Sequence, residues 1–67
     1  MQVTLYTTFC PKCKVLESKL KQKNLDYEEI TDMDIMKSKG IMSVPVLEVD
    51  GEMMDFANAN KWINERN

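Results

Sequence analysis

Histidine is absent from this chain, and cysteine, glycine and proline occur only twice each. The missing imidazole removes the commonest general base and the commonest metal ligand. A structural zinc site is closed by four Cys or His side chains, so one copy of the chain cannot supply such a set. Two cysteines are also too few for the disulfide framework of a small secreted domain. With so little glycine and proline there is no linker and no low-complexity segment. No apolar run approaches the roughly 18 residues of a membrane-spanning helix. Cationic charge is not in excess either: nine Lys and Arg stand against eleven Asp and Glu, and aromatics make up only 7%. A nucleic-acid surface needs a basic patch, and none is present. Lys12, Lys14, Lys19, Lys21 and Lys23 do form a local run, but they fall on a predicted helix and read as its solvated face.

Sixty-seven residues make one domain, spanning 1–67. A chain of this size buries only about 60% of the surface its unfolded form exposes, so the fold must be compact and regular. The opening Met1-Gln2-Val3-Thr4 has no charged n-region and runs directly into a strand pattern, which reads as no leader peptide. With the two-cysteine inventory, the expected setting is a reducing cytoplasm.

Both cysteines stand together in Cys10-Pro11-Lys12-Cys13. The segment sits where an apolar run, Val3 to Tyr6, gives way to a helical pattern. A CxxC between a strand and a helix reads as a thiol–disulfide redox centre. Proline suits the first helical position because its missing N–H was an unpaired donor anyway. Cys10 is then the N-cap, its sulfur facing free backbone N–H groups and the positive end of the helix dipole. Both favour a thiolate, and Lys12 adds a nearby cation. Cys13, Leu16 and Leu20 recur at i, i+3 and i+7, so Cys13 lies on the apolar stripe and points inward. This asymmetry makes Cys10 the nucleophile and Cys13 the resolving thiol of a redox-active pair. Two plainer readings stand beside it. A stabilising disulfide would gain little, since the loop-entropy relation gives so small a ring only about 2 kcal/mol. Two copies pooling four thiolates could hold a metal ion or an iron–sulfur cluster, whereas one copy has no metal site.

The rest of the chain alternates strands and helices. Gln2 to Thr7 reads as a strand, Pro11 to about Lys23 as a helix stopped near Asn24, and Leu25 to Ile30 as a second strand. The helical crossover makes this pair parallel. Thr31 is the expected cap of a short second helix that ends before Gly40. Val44 to Val49 reads as a third strand. Asp50-Gly51 is a two-residue hairpin signal, so Glu52 to Met54 returns antiparallel. Asp55 caps a last helix whose Phe56, Ala59 and Ile63 share one face. The order βαβαββα gives an α/β fold: a four-stranded mixed sheet in the order 2-1-3-4, flanked by three helices. Pro45 is tolerated at a strand's first residue. Because only about 5–6% of X–Pro bonds are cis, trans is the expectation from the residues alone. Met33, Met36, Met42, Met53 and Met54 either fill gaps in a small core or line a substrate groove.

With Leu5-Tyr6-Thr7 leading to Cys10-Pro11-Lys12-Cys13, then Ser43-Val44-Pro45, Asp50-Gly51 and a final helix, the whole chain resembles a glutaredoxin, in particular the short glutaredoxin-like proteins and NrdH-redoxins. The resemblance implies the minimal thioredoxin fold with Pro45 cis, and a Val44 backbone that pairs with an extended substrate beside Pro11 and Lys12. It implies a monomeric dithiol–disulfide oxidoreductase with no tightly bound cofactor, acting on protein or glutathione mixed disulfides. Glutathione is the default reductant. A NrdH-type redoxin would instead be reduced by thioredoxin reductase and would supply electrons to ribonucleotide reductase. Asp55 stands where glutaredoxins hold the glutathione amine, although Met53 and Met54 precede it where a Gly-Gly pair is usual. Its reading as a simple helix cap is equally open. Lys12 could meet a glutathione carboxylate, in place of the basic residue that usually precedes the first cysteine.

Overall fold

The computed structural model describes residues 2–66; Met1 and Asn67, the ends of the 1–67 domain, lie outside the described residues. The elements run β1 (Val3–Tyr6), α1 (Pro11–Gln22), β2 (Glu28–Ile30), α2 (Met33–Ser38), β3 (Val46–Val49), β4 (Glu52–Met54) and α3 (Phe56–Asn64). The four strands form one sheet in the order β2-β1-β3-β4. β1 lies parallel to β2 and antiparallel to β3, and β3 pairs antiparallel with β4. This is the minimal thioredoxin fold.

The sheet is built on β1, all four of whose residues are buried. Successive strand side chains point to opposite faces. Val3 and Leu5 join Leu47 and Val49 of β3 on one face, where Leu16 and Leu20 of α1 and Ala59 and Ile63 of α3 close the core. Truncating a buried leucine of this kind costs about 2–5 kcal/mol. Thr4 and Tyr6 take the other face. There Tyr6 Oη donates to Glu48 Oε1 at 2.7 Å, in a groove that Glu28, Ile30 and, from the end of α2, Lys39 also line. α2 therefore lies on the side away from α1 and α3. Its Met36 is buried outside the main core.

Asp50 and Gly51 have φ of 50° and 89°, the two positive values that a type I′ hairpin demands. Asp50 also ties the hairpin to the chain start, its Oδ1 accepting the Gln2 N–H at 2.8 Å.

Four expectations drawn from the residues alone need correction. β2 begins at Glu28, not Leu25, because β1 offers partners only from Thr4 to Tyr6, opposite Glu28 to Ile30. Leu25 and Tyr27 pack against the core instead. The cap of α2 is Asp32 rather than Thr31: its Oδ1 accepts the Asp34 N–H at 2.9 Å, satisfying one of the helix's free donors. The Val44–Pro45 bond is cis, against the expectation from residues alone and as the family resemblance implied. Pro45 is buried, so tertiary contacts rather than local preference choose its isomer. β3 starts at Val46 rather than at the expected Val44, since proline has no N–H to give a ladder.

Candidate active site

β1 hands the chain directly to the dithiol. Thr7 is buried, and its N–H donates to Ile30 O at 3.0 Å. Its Oγ1 accepts the Phe9 N–H at 2.9 Å, a local side-chain turn of the kind threonine favours. Phe9 has φ of 62°, the left-handed region that a bulky residue rarely enters. It is 50% exposed. This tight turn delivers Cys10 in an extended conformation, as the N-cap of α1 with Pro11 first in the helix.

The cap is made by sulfur. Cys10 Sγ accepts the Cys13 N–H at 3.3 Å, and Cys10 O accepts the Lys14 N–H at 3.0 Å. Cys13 is 0% exposed, while Cys10 is partly open to solvent. Both are free thiols. The Cys13 thiol lies below the ordinary thiol range. Burial pushes it up, but hydrogen bonds involving the Cys10 side chain, the Thr7 hydroxyl, the Thr8 backbone and the Cys10 backbone together outweigh that.

The other anticipated residues fall around this pair. Val44 is half-buried and shares a cavity of about 270 Å³ with Thr8, Met33, Met36, Ile41 and Met42. Thr8 thus touches both the Cys13 thiol and the cavity shared with Val44. Lys12 is exposed, and its Nζ lies 5.5 Å from the centroid of the Phe56 ring, a cation–π distance. Asp55 caps α3, its Oδ1 accepting the Asn58 N–H at 2.9 Å. Lys12 and Asp55 are therefore brought to one place, the adjoining starts of α1 and α3. Thr7, Thr8 and Phe9 were not singled out from sequence. The threonine pair just before the CxxC was their only local signal. Among the described residues, no group of three or more His, Cys, Asp or Glu is placed to hold a metal ion. No helix of the described residues is long and apolar enough to cross a membrane.

A four-stranded mixed sheet with a dithiol capping its first helix defines a thioredoxin-fold redox protein. Residues 1–55 match the thioredoxin domain family model, and the chain belongs to this thioredoxin and glutaredoxin family of small redox proteins. It is 30% identical over 59 residues to a thioredoxin of Methanothermobacter thermautotrophicus, covering 79% of this chain and 77% of the relative. It is 33% identical over 60 residues to an uncharacterized glutaredoxin-like 8.6 kDa protein of the rubredoxin operon of Clostridium pasteurianum, covering 78% and 80%. Among solved structures it is similar to a trimeric glutathione transferase of Leishmania, with a TM-score of 0.75 at 19% identity. That likeness covers 96% of this chain but only 16% of the transferase, and it concerns the fold alone.

Proposed function

We propose that the chain is a dithiol–disulfide oxidoreductase in which Cys10 attacks and Cys13 resolves. The observation that carries the reading is the asymmetry of the pair: a partly open Cys10 sulfur accepting the N–H of a Cys13 that is itself buried. The Cys10 thiolate attacks one sulfur of a substrate disulfide, forming a mixed disulfide and releasing the other sulfur as thiolate. The Cys13 thiolate then attacks Cys10 Sγ. The Cys10–Cys13 disulfide forms, and the second substrate thiolate leaves. The substrate has gained two electrons and the protein has lost two, which an external dithiol or two thiol molecules must return.

Glutathione is the reductant that the family resemblance suggests, and thioredoxin reductase is the alternative. A specific observation favours the alternative. Asp55 gives one carboxylate oxygen to its helix cap and Lys12 Nζ lies over Phe56, so a tripeptide would have to compete with contacts that both residues already make. Ribonucleotide reductase would then be a candidate client. A monomer working in the cytoplasm fits this reading, with no bound cofactor required. The pooled-thiolate alternative, a dimer around a metal or cluster, is met by anaerobic purification with a visible spectrum and a mass.

The test uses two variants and two reductants. C10S should lose all exchange, and C13S should accumulate mixed disulfides with substrate. Oxidised protein should be re-reduced faster by NADPH with thioredoxin reductase than by glutathione with glutathione reductase. If C13S blocked exchange with small disulfides as completely as C10S, the two roles would have to be reassigned.

A further inference from the structure

We infer that the cavity beside the dithiol receives an apolar side chain next to the disulfide cysteine of a protein substrate, with a carboxylate nearby on the same segment. The inference rests on the exchange chemistry proposed above and names its substrate class. The cavity measures about 270 Å³, below the roughly 300–1,000 Å³ of pockets that enclose whole small ligands. It has room for a large apolar side chain. Its position is tied to the chemistry by the chain itself: Thr8 in its wall stands two residues before Cys10, and Val44 directly precedes the cis Pro45.

The wall chemistry selects the occupant. Met33, Met36, Ile41, Met42 and Val44 present carbon and thioether, and the one ionic group is Lys37. Glutathione carries an ammonium as well as two carboxylates, and no carboxylate lines this cavity to meet that ammonium. A segment pairing an apolar residue with an acidic one complements both the wall and Lys37. Met33 and Met42 are 57% and 95% exposed. Flexible thioethers at the rim let such a pocket mould itself to different side chains.

The experiment uses symmetrical disulfide dimers of short peptides in three versions. The residue next to cysteine is leucine or glycine beside a glutamate, or leucine beside a lysine. Reduced protein and peptide disulfide are mixed without other reductant, and chromatography follows one oxidised protein and two peptide thiols per turnover. The leucine–glutamate dimer should react at least tenfold faster than the glycine dimer and faster than the leucine–lysine dimer. Met33→Asp and Met42→Asp, both at exposed positions, should remove the preference. Both variants should still be alkylated by iodoacetamide, which reads the Cys10 thiol without any docking. Equal rates for the leucine and glycine dimers, or a preference that survives both variants, would overturn the inference while leaving the dithiol chemistry in place. Failure of every disulfide to react, with Cys10 still alkylated, would remove the exchange reading itself.

Discussion

At the scale of single residues, the site depends on a turn that sequence preferences would not choose. Phe9 occupies a left-handed conformation with φ of 62°, which costs an L-residue roughly 1–2 kcal/mol. Asparagine enters that region several-fold more readily, and a β-branched residue scarcely at all. Phe9→Asn should therefore leave stability unchanged or raise it by up to about 1 kcal/mol, whereas Phe9→Val should lower it by about 1 kcal/mol or more. Chemical denaturation of both variants checks this, and equal effects would mean that the turn relaxes. Thr7 binds the same turn from below and also reaches the Cys13 thiol. Thr7→Val keeps the shape and removes the hydroxyl. The Cys13 pKa should rise, seen as thiolate absorbance near 240 nm appearing at higher pH; an unmoved titration would remove Thr7 from the account. Phe9 and Thr7 were illegible in the sequence for a plain reason. A positive φ at phenylalanine has no compositional signature, and a hydroxyl serving two partners is defined only once the loop has closed.

At the scale of elements, legibility followed how local each signal was. β1, α1, the Asp50-Gly51 hairpin and α3 are set by alternation, Pro at the first helical position and paired turn residues, all contained within a few neighbours. β2 is shorter than its own pattern because its length is set by β1. The Asp32 cap of α2 prevailed over Thr31 within a one-residue choice that local propensity does not decide. The apolar cavity was only half legible. Methionine abundance suggested either core or groove, and both occur: Met36 is buried and Met54 packs on the core, while Met33 and Met42 are exposed beside the cavity. α3 carries the prediction of this scale. The Asp55 cap should be worth about 1 kcal/mol, lost in Asp55→Ala. Asparagine caps as well as aspartate but has no charge for an ammonium. Asp55→Asn should then keep both the melting temperature and the rate with glutathione mixed disulfides. A rate loss of tenfold at unchanged stability would make Asp55 a glutathione ligand, as glutaredoxin likeness implies.

For the molecule as a whole, pH acts through groups on opposite sides of the sheet and in opposite directions. Tyr6 is 2% exposed. Burial first, then its hydrogen bond to Glu48 and the charges of Glu48 and Glu28, push its pKa up to about 12 from 10.0. That shift favours the neutral phenol by at most a few kcal/mol, less the part that solvent screens in the open groove. For a raised acid, that contribution is complete below the unfolded value near 10.0 and is lost as pH climbs through about 12. Tyr27 is shifted upward as well, chiefly by burial and then by Glu17. Cys13 has the opposite sign. Its lowered pKa adds stability above the ordinary thiol value of 9.0, and that stability is lost as pH falls through the folded value. The reduced protein should accordingly gain stability relative to the disulfide form as pH rises toward 9.0, because the disulfide has no thiol to ionise. Both forms should weaken above about pH 10 as unfolded tyrosine begins to ionise. Thermal unfolding of each form across this range, with phenolate absorbance at 295 nm, measures both effects. Glu48→Gln should bring the Tyr6 titration down toward the ordinary value. Both tyrosines ionising near pH 10 in the folded parent protein would mean that the Tyr6–Glu48 contact does not hold in solution. A pH-independent stability gap between the two redox forms would mean that the sulfur pair is not held as the capped helix holds it.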